Sequence, residues 1–208
     1  MSSTAMWYAT RATGLTAFVL LTITMVLGIV TTTRARARHW PGFAQQEIHR
    51  RLSMIAVVFV ALHVLTSVLD TYVHIGWLAI VVPFTSHYSS FWVGVGSMSL
   101  DLMLAVFVSS LLRARMRPGN WRAVHWLAYG SWPVALAHTL GMGTDAGEGW
   151  VMLLAAACSA AVAAALGWRL WSSSRQAAER RGLAVVPGAP AKHLVLTPQR
   201  TRVHRGAP

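Results

Sequence analysis

Residues 47–72 read EIHRRLSMIAVVFVALHVLTSVLDTY, and residues 121–142 read WRAVHWLAYGSWPVALAHTLGM. Both stretches are apolar over most of their length, and both carry two histidines. A run of about 20 mostly apolar residues crosses the hydrocarbon core of a bilayer, about 30 Å thick, as an α-helix. The two stretches therefore predict membrane-spanning helices that carry ionisable side chains.

Three further apolar blocks have the same length and character, at about 13–33, 91–112 and 150–171. Only 12% of the 208 residues are charged, whereas soluble domains average about 25%. The sequence therefore predicts an all-α integral membrane protein whose five transmembrane helices lie within residues 13–171.

The two ends of the chain differ from this apolar part. Residues 1–12 precede the first block and form a short predicted outer segment. Residues 172–208 are rich in Arg, Pro, Gly and Ala and lack apolar periodicity. This basic tail is predicted to be disordered, cytoplasmic and in contact with anionic membrane lipid.

The arginines predict the orientation of the helices. The loops after the second and fourth helices contain no Lys or Arg, whereas those after the first and third contain Arg34, Arg36, Arg38, Arg113, Arg115 and Arg117. Positively charged loops stay in the cytoplasm, so the N-terminus is predicted outside and the C-terminus inside a bacterial cytoplasmic membrane. The formal net charge of +12 is thereby explained as a topology feature, and nucleic acid is not an expected partner.

The four helix histidines fall into two predicted layers. His49 and His63 are 14 residues apart, and His125 and His138 are 13 apart. At 1.5 Å per residue each pair spans about 20 Å along its helix. Because the two helices run in the same direction, His49 lies level with His125, and His63 with His138. Each layer offers two imidazoles from facing helices, as the axial ligands of a haem iron require.

The sequence thus predicts two b-type haems, held without thioether links because there is no C-x-x-C-H motif. The spacing of 13 residues would place His125 and His138 on different faces of an ideal helix. Pro133, which lies between them, is expected to bend or rewind the helix and correct this. The alternative is that these histidines only bond neighbouring helices, but ionisable residues at membrane depth are functional by default.

Other polar residues have two readings each. Arg50 and Arg51 follow His49 and are predicted to pair with haem carboxylates, with inner-leaflet phosphates as an equal alternative. Asp101 lies halfway along the third helix, where a carboxylate is costly. It is expected to bond a ligand imidazole or to serve a proton path, and a bond to a helix hydroxyl is the alternative.

Residues 71–90 form an apolar but interrupted segment between the second and third helices. It is too short and irregular for another span and is predicted to lie on the outer membrane surface. Its histidines, His74 and His87, are expected to be solvated or interfacial, with a contact to an electron acceptor or a metal as the alternative.

The segments 47–72, 81–115 and 121–146 resemble the ferric reductase-like transmembrane domain family. That family includes ferric reductases, NADPH oxidases and the haem subunit of a bacterial periplasmic methionine sulfoxide reductase. The resemblance covers about residues 13–171 and implies that the four helix histidines hold two b haems. It also implies an oxidoreductase role as a membrane haem subunit.

The chain departs from the oxidase branch because it contains no G-x-G-x-x-G after a strand. The expected electron donor is therefore a separate flavin reductase or a quinol, so that FMN or FAD would be bound only by a partner protein. The expected outer acceptor is ferric iron or a flavoprotein.

Two rival functions remain open at this stage. One is a proton or metal-cation transporter that uses the histidines and Asp101, although the sequence shows no inverted repeat of broken helices. The other is a subunit that only anchors a soluble enzyme, which would leave four membrane histidines unexplained. A red membrane fraction is expected for the haem protein alone.

Overall fold

A computed structural model describes residues 3–32, 42–70, 73, 75–142 and 148–184. These residues form α-helices and short turns, and no strand occurs among them. The loop with Arg34, Arg36 and Arg38, together with His74 and the tail beyond Ala184, lies outside the described residues. The helices are α1 (Ser3–Thr32), α2 (Gly42–Leu69), α3 (Leu78–Val81), α4 (Ser90–Leu111), α5 (Pro118–His125), α6 (Leu127–Met142) and α7 (Gly149–Ala184).

Four of these helices are long and apolar enough to cross a membrane, over Thr4–Thr31, Gly42–Leu69, Ser90–Leu111 and Gly149–Ala178. They correspond to the first, second, third and fifth predicted spans. All four exceed the 20 or so residues that a bilayer core requires, and their apolar residues face outward over much of their surface. The chain therefore has the architecture of a multi-pass membrane protein.

The fourth predicted span, 121–142, is two helices instead of one. Helix α5 begins at Pro118, whose fixed φ suits the first helical position, and α6 is only 16 residues long. The interruption lies at Trp126 and not at Pro133, which is inside α6. The change of helix therefore occurs directly after His125.

Helices α1 and α2 pack against each other in opposite directions. The backbone of Thr10, near the start of α1, contacts His63, and Gly28, near its end, lies against His49. Helices α4 and α6 are also antiparallel, because Trp92 contacts His138 and Ser99 donates to the carbonyl of Ser131. This pairing makes α2 and α6 run in the same direction, as the sequence predicts.

The core that joins these pairs is built around Trp132 of α6. Its ring packs on Phe18 of α1, with centroids 5.8 Å apart, and its indole Nε1–H donates to Thr22 Oγ1 at 3.0 Å. Cys158 and Val162 of α7 complete the buried cluster. Trp132 lies midway in sequence between His125 and His138, so this cluster fills the bundle between the two histidine levels.

We expect Trp132→Ala to lower the free energy of unfolding in detergent by about 3 kcal/mol. That is the low end for a buried tryptophan, because lipid or detergent is as apolar as the bundle interior and only packing is lost. Trp132→Phe keeps the stack but loses the bond to Thr22, so it should cost about 1 kcal/mol. Trp150, which is 55% exposed, provides the control: Trp150→Ala with an equal loss would contradict this role for Trp132.

The segment between α2 and α4 is anchored to α4. Ser97 of α4 donates a hydrogen bond to the carbonyl of Ala79 in α3, and Phe84 adopts a positive φ of 66° while its ring and backbone lie against Gly94. Only a glycine at position 94 leaves room for this approach, since a Cβ there would be 2.6 Å from the Phe84 nitrogen. The described part of this segment is therefore folded onto α4 near His138.

Helix α7 continues beyond its predicted end at residue 171. Residues 172–184, which the sequence analysis assigns to the disordered tail, are helical. Their sequence, SSSRQAAERRGLA, is rich in Ala, Arg, Gln and Glu, which have high helix propensity. The strong local preference extends an apolar helix into polar surroundings, and the composition of the tail as a whole conceals it.

Candidate functional site

The structure brings His63 of α2 and His138 of α6 together. Their ring centroids are 6.2 Å apart, with an angle of 74° between the ring planes. Both rings are partly buried, between helices that are 75 residues apart in sequence. The pairing of these two histidines, which the sequence predicts from their spacing alone, is present in the fold.

Each of these two rings is held by a backbone carbonyl of another helix. The Nδ1 of His63 lies 3.0 Å from the carbonyl oxygen of Thr10, and the Nδ1 of His138 lies 2.8 Å from that of Trp92. A carbonyl oxygen can only accept, so in both neutral rings Nδ1 carries the proton and Nε2 keeps its lone pair. This is the tautomer in which histidine binds a metal through Nε2 while a second-shell group orients the ring.

The distance between the rings fits one metal ion between them. A metal–imidazole bond is about 2 Å long, and the nitrogen lies about 1.1 Å from the ring centre, so two axial rings have centroids about 6 Å apart. The observed 6.2 Å agrees with this value. The ring planes are free to rotate about such an axis, so the angle of 74° is compatible with axial ligation.

A cavity of about 240 Å³ opens beside the pair and is lined by both imidazoles. Helices α1, α2, α4 and α6 all contribute to its wall, which is mostly apolar. The polar side chains that line it include Arg11, Asp70 and Tyr88. An apolar cavity with a few polar groups is typical of a small-molecule or cofactor site.

Arg11 was not predicted as a site residue, although it lines this cavity and interacts electrostatically with His63. A sequence feature could have identified it. The positive-inside rule accounts for arginines in cytoplasmic loops, but it leaves an arginine at the opposite end of the first helix without a topological reason. Such a residue is a candidate for binding an anionic group.

His49 and His125 lie at the other end of the bundle and are less firmly held. They interact electrostatically with each other, but their Nδ1 atoms are buried without a hydrogen bond within the described part of the chain. The ring of His125 stacks on Trp121 at 4.9 Å, and the guanidinium group of Arg113 lies over Trp121 at 4.4 Å. The structure thus places this pair at one level without fixing both rings as it does in the first pair.

Arg50 and Arg51 bind Glu47 on the exposed side of α2. The two Nε atoms lie 3.0 and 2.6 Å from the carboxylate oxygens, and both arginine side chains are about three-quarters exposed. Exposed pairs of this kind contribute about 0–1 kcal/mol each. The described contacts of these two arginines are therefore with Glu47 and not with the histidine site.

The remaining predicted residues lie apart from the His63–His138 pair. Asp101 is half-buried on α4 and has no hydrogen-bond or ion-pair partner among the residues that the structure describes. His87 is exposed between α3 and α4. Within the described ranges no group of three or more His, Cys, Asp or Glu could hold a metal ion. Structural zinc uses four protein ligands, whereas this pair supplies two.

Fold and site together define an all-helical membrane protein with paired histidines between α2 and α6. The chain belongs to a family that is described as a domain of unknown function (DUF8596), whose members match residues 5–145. That range runs from α1 to α6 and includes all four helix histidines. No curated protein matches the chain, and no solved structure does.

Proposed function

We propose that this protein is a transmembrane b-type haem protein that carries electrons across the cytoplasmic membrane. The observation that carries the proposal is the His63–His138 pair, with rings 6.2 Å apart and both Nδ1 atoms bonded to backbone carbonyls. The resemblance to ferric reductase-like domains agrees with it. Haem, when bound between the two rings, supplies an iron that changes oxidation state by one electron.

The residues of the chain have separate tasks in this proposal. His63 and His138 hold the iron through Nε2, and the carbonyls of Thr10 and Trp92 keep Nδ1 protonated and the rings oriented. The apolar lining excludes water from the site. Arg11 is placed to bind a carboxylate of the cofactor, because an arginine and a carboxylate form a charge-assisted pair.

A second haem is proposed between His49 and His125. The support is their equal level in the bundle and their separation of about 20 Å from the first pair along the helices. Two such centres would connect the two faces of the membrane. Arg50 and Arg51 stay candidates for the carboxylates of this haem or for lipid phosphates, once they exchange Glu47 for the new partner.

The proposed route is from a cytoplasmic donor to an outer acceptor, with the N-terminus outside. The donor would be a separate flavin reductase or a quinol. The acceptor would be ferric iron or a flavoprotein that approaches the His63–His138 end of the bundle. The choice of ferric iron rests on the resemblance, since a fold does not by itself define a substrate.

The proposal predicts that the purified protein is red and releases its haem into acidified organic solvent, because no thioether link is present. A reduced-minus-oxidised spectrum and the haem-to-protein ratio measure this, with about two haems expected per chain. Protein that is expressed with sufficient iron and contains no haem would contradict the proposed function. Haem that stays attached to the chain after extraction would contradict its b type.

A further inference from the structure

Three of the four helix histidines lie directly against a glycine of a neighbouring helix. A Cβ added at Gly14 would be 2.8 Å from Nδ1 of His63, and one added at Gly96 would be 2.6 Å from Nδ1 of His138. At Gly28 the nearest atom would be Cε1 of His49, at 3.2 Å. Each imidazole therefore occupies the space that a side chain would take on the facing helix.

The carbonyl that holds the ring is always four residues before the glycine. Thr10 precedes Gly14 by four residues and accepts from His63, and Trp92 precedes Gly96 by four and accepts from His138. Residues i and i+4 lie on the same helix face. The carbonyl and the missing side chain therefore form one recess, which an imidazole can enter with its Nδ1–H pointing at the oxygen.

The same arrangement recurs on α1 after fourteen residues. His49 interacts with the backbone of Thr24, four residues before Gly28, although its Nδ1 does not complete a hydrogen bond of normal geometry. The separation of Gly14 and Gly28 equals that of His49 and His63. Since α1 and α2 are antiparallel, one helix without histidines of its own faces both histidines of its neighbour with matching recesses.

We propose that these carbonyl–glycine recesses (Thr10–Gly14, Thr24–Gly28 and Trp92–Gly96) are imidazole seats that set the tautomer of the ligand histidines. The carbonyl requires the proton on Nδ1, and the glycine lets the ring come close enough to donate it. Nε2 is thereby presented as a neutral metal ligand before any metal arrives. Gly14, Gly28 and Gly96 are accordingly positioning residues. Their link to haem rests on the proposed function, but the tautomer claim does not.

The test is a graded glycine-to-alanine series, read by ¹⁵N NMR of the histidine rings in detergent-solubilised protein without haem. In the unsubstituted chain His63 and His138 should both show a protonated Nδ1 and an unprotonated Nε2. Gly14→Ala and Gly96→Ala should shift these rings towards a tautomer mixture. Gly28→Ala should affect only His49, and by less, because its clash is milder. Gly130→Ala and Gly167→Ala are the matched controls, since an added Cβ there meets nothing within 4 Å.

The haem-loaded protein offers a second readout. Loss of a group that orients a ligand histidine costs about 10–100-fold in metal affinity, so Gly14→Ala and Gly96→Ala should weaken haem binding by that factor. The midpoint potential of the remaining haem should rise, because a ring that no longer donates from Nδ1 is a less basic ligand. The control variants should change neither quantity.

The outcomes separate the two proposals. If the unsubstituted chain shows the Nδ1–H tautomer and the glycine dependence but takes up no haem, the seats stand and the proposed function falls. If Gly14→Ala, Gly96→Ala and Gly130→Ala give the same ring spectra in folded protein, the seats are wrong. Should Gly14→Ala and Gly96→Ala fail to fold, Gly28→Ala decides: an unchanged His49 spectrum overturns the proposal, and a shifted one supports it.

Discussion

Replacing His63 or His138 with alanine is expected to remove the same haem, so that either variant retains about half of the haem of the unsubstituted protein. The two rings flank one position at a centroid distance of 6.2 Å, and an iron that loses one of two axial imidazoles is no longer held from both sides. The double variant should lose no more haem than either single one. The measurement is the haem-to-protein ratio with the reduced-minus-oxidised spectrum, and His87→Ala, at an exposed histidine, is the control.

The complementary variants at the other level test the number of haems. His49→Ala and His125→Ala should each remove the second haem and leave the first, with its own spectrum and midpoint potential. If these variants are silent while His63→Ala abolishes all haem, the protein holds a single haem between α2 and α6. If every one of the four variants removes all haem, the two levels are not independent sites.

The second large effect concerns the electron donor. NADH or NADPH alone is expected to leave the haems oxidised, because the 208 residues contain no nucleotide-binding G-x-G-x-x-G after a strand. Adding an acidic flavin reductase should reduce them. The docking surface is the turn between α4 and α5, where Arg113, Arg115, Arg117 and Arg122 are all exposed, at the end of the bundle that carries His125. Attraction between opposite charges raises association rates by about 10–1,000-fold.

Charge reversal at this turn gives the sharpest measurement. The double variant Arg115→Glu, Arg117→Glu should slow haem reduction by about tenfold or more at low salt, whereas Arg115→Lys, Arg117→Lys keeps the charge and should not. Raising the salt concentration should slow the unsubstituted protein, since 0.1 M salt screens charges beyond about 10 Å. Stopped-flow reduction in oriented vesicles measures these rates. Fast reduction by NADPH alone would reveal a nucleotide site, and reduction by quinol alone would place the donor in the membrane.

The predicted helices agree with the structure wherever a long apolar run decides them. Helices α1, α2, α4 and α7 contain the blocks predicted at 13–33, 47–72, 91–112 and 150–171. Their ends differ by up to about ten residues, because polar residues with high helix propensity extend a helix beyond its apolar part. The interruption at Trp126 was not predicted. Hydropathy runs through this position without a change, and the adjacent Pro133 is a stronger local indication of a break.

The histidine levels were predictable because a helix has a fixed rise of 1.5 Å per residue. The numbers 14 and 13 are enough to place His49 with His125 and His63 with His138, if α2 and α6 run in the same direction. Arg50 and Arg51 show where such reasoning ends. Their position next to His49 suggested a role at the site, but Glu47 lies one turn away on the same face and binds both.

The sequence by itself determined the helices, their apolar character and the spacing of the histidines, because all three depend on neighbours along one chain segment. Only the tertiary structure decided which atoms face each imidazole. The carbonyls of Thr10 and Trp92 belong to other helices, and every helical residue has a carbonyl, so its identity leaves no mark on the sequence. The glycines at 14, 28 and 96 do leave one, but it gains meaning only when antiparallel packing places each glycine against its histidine.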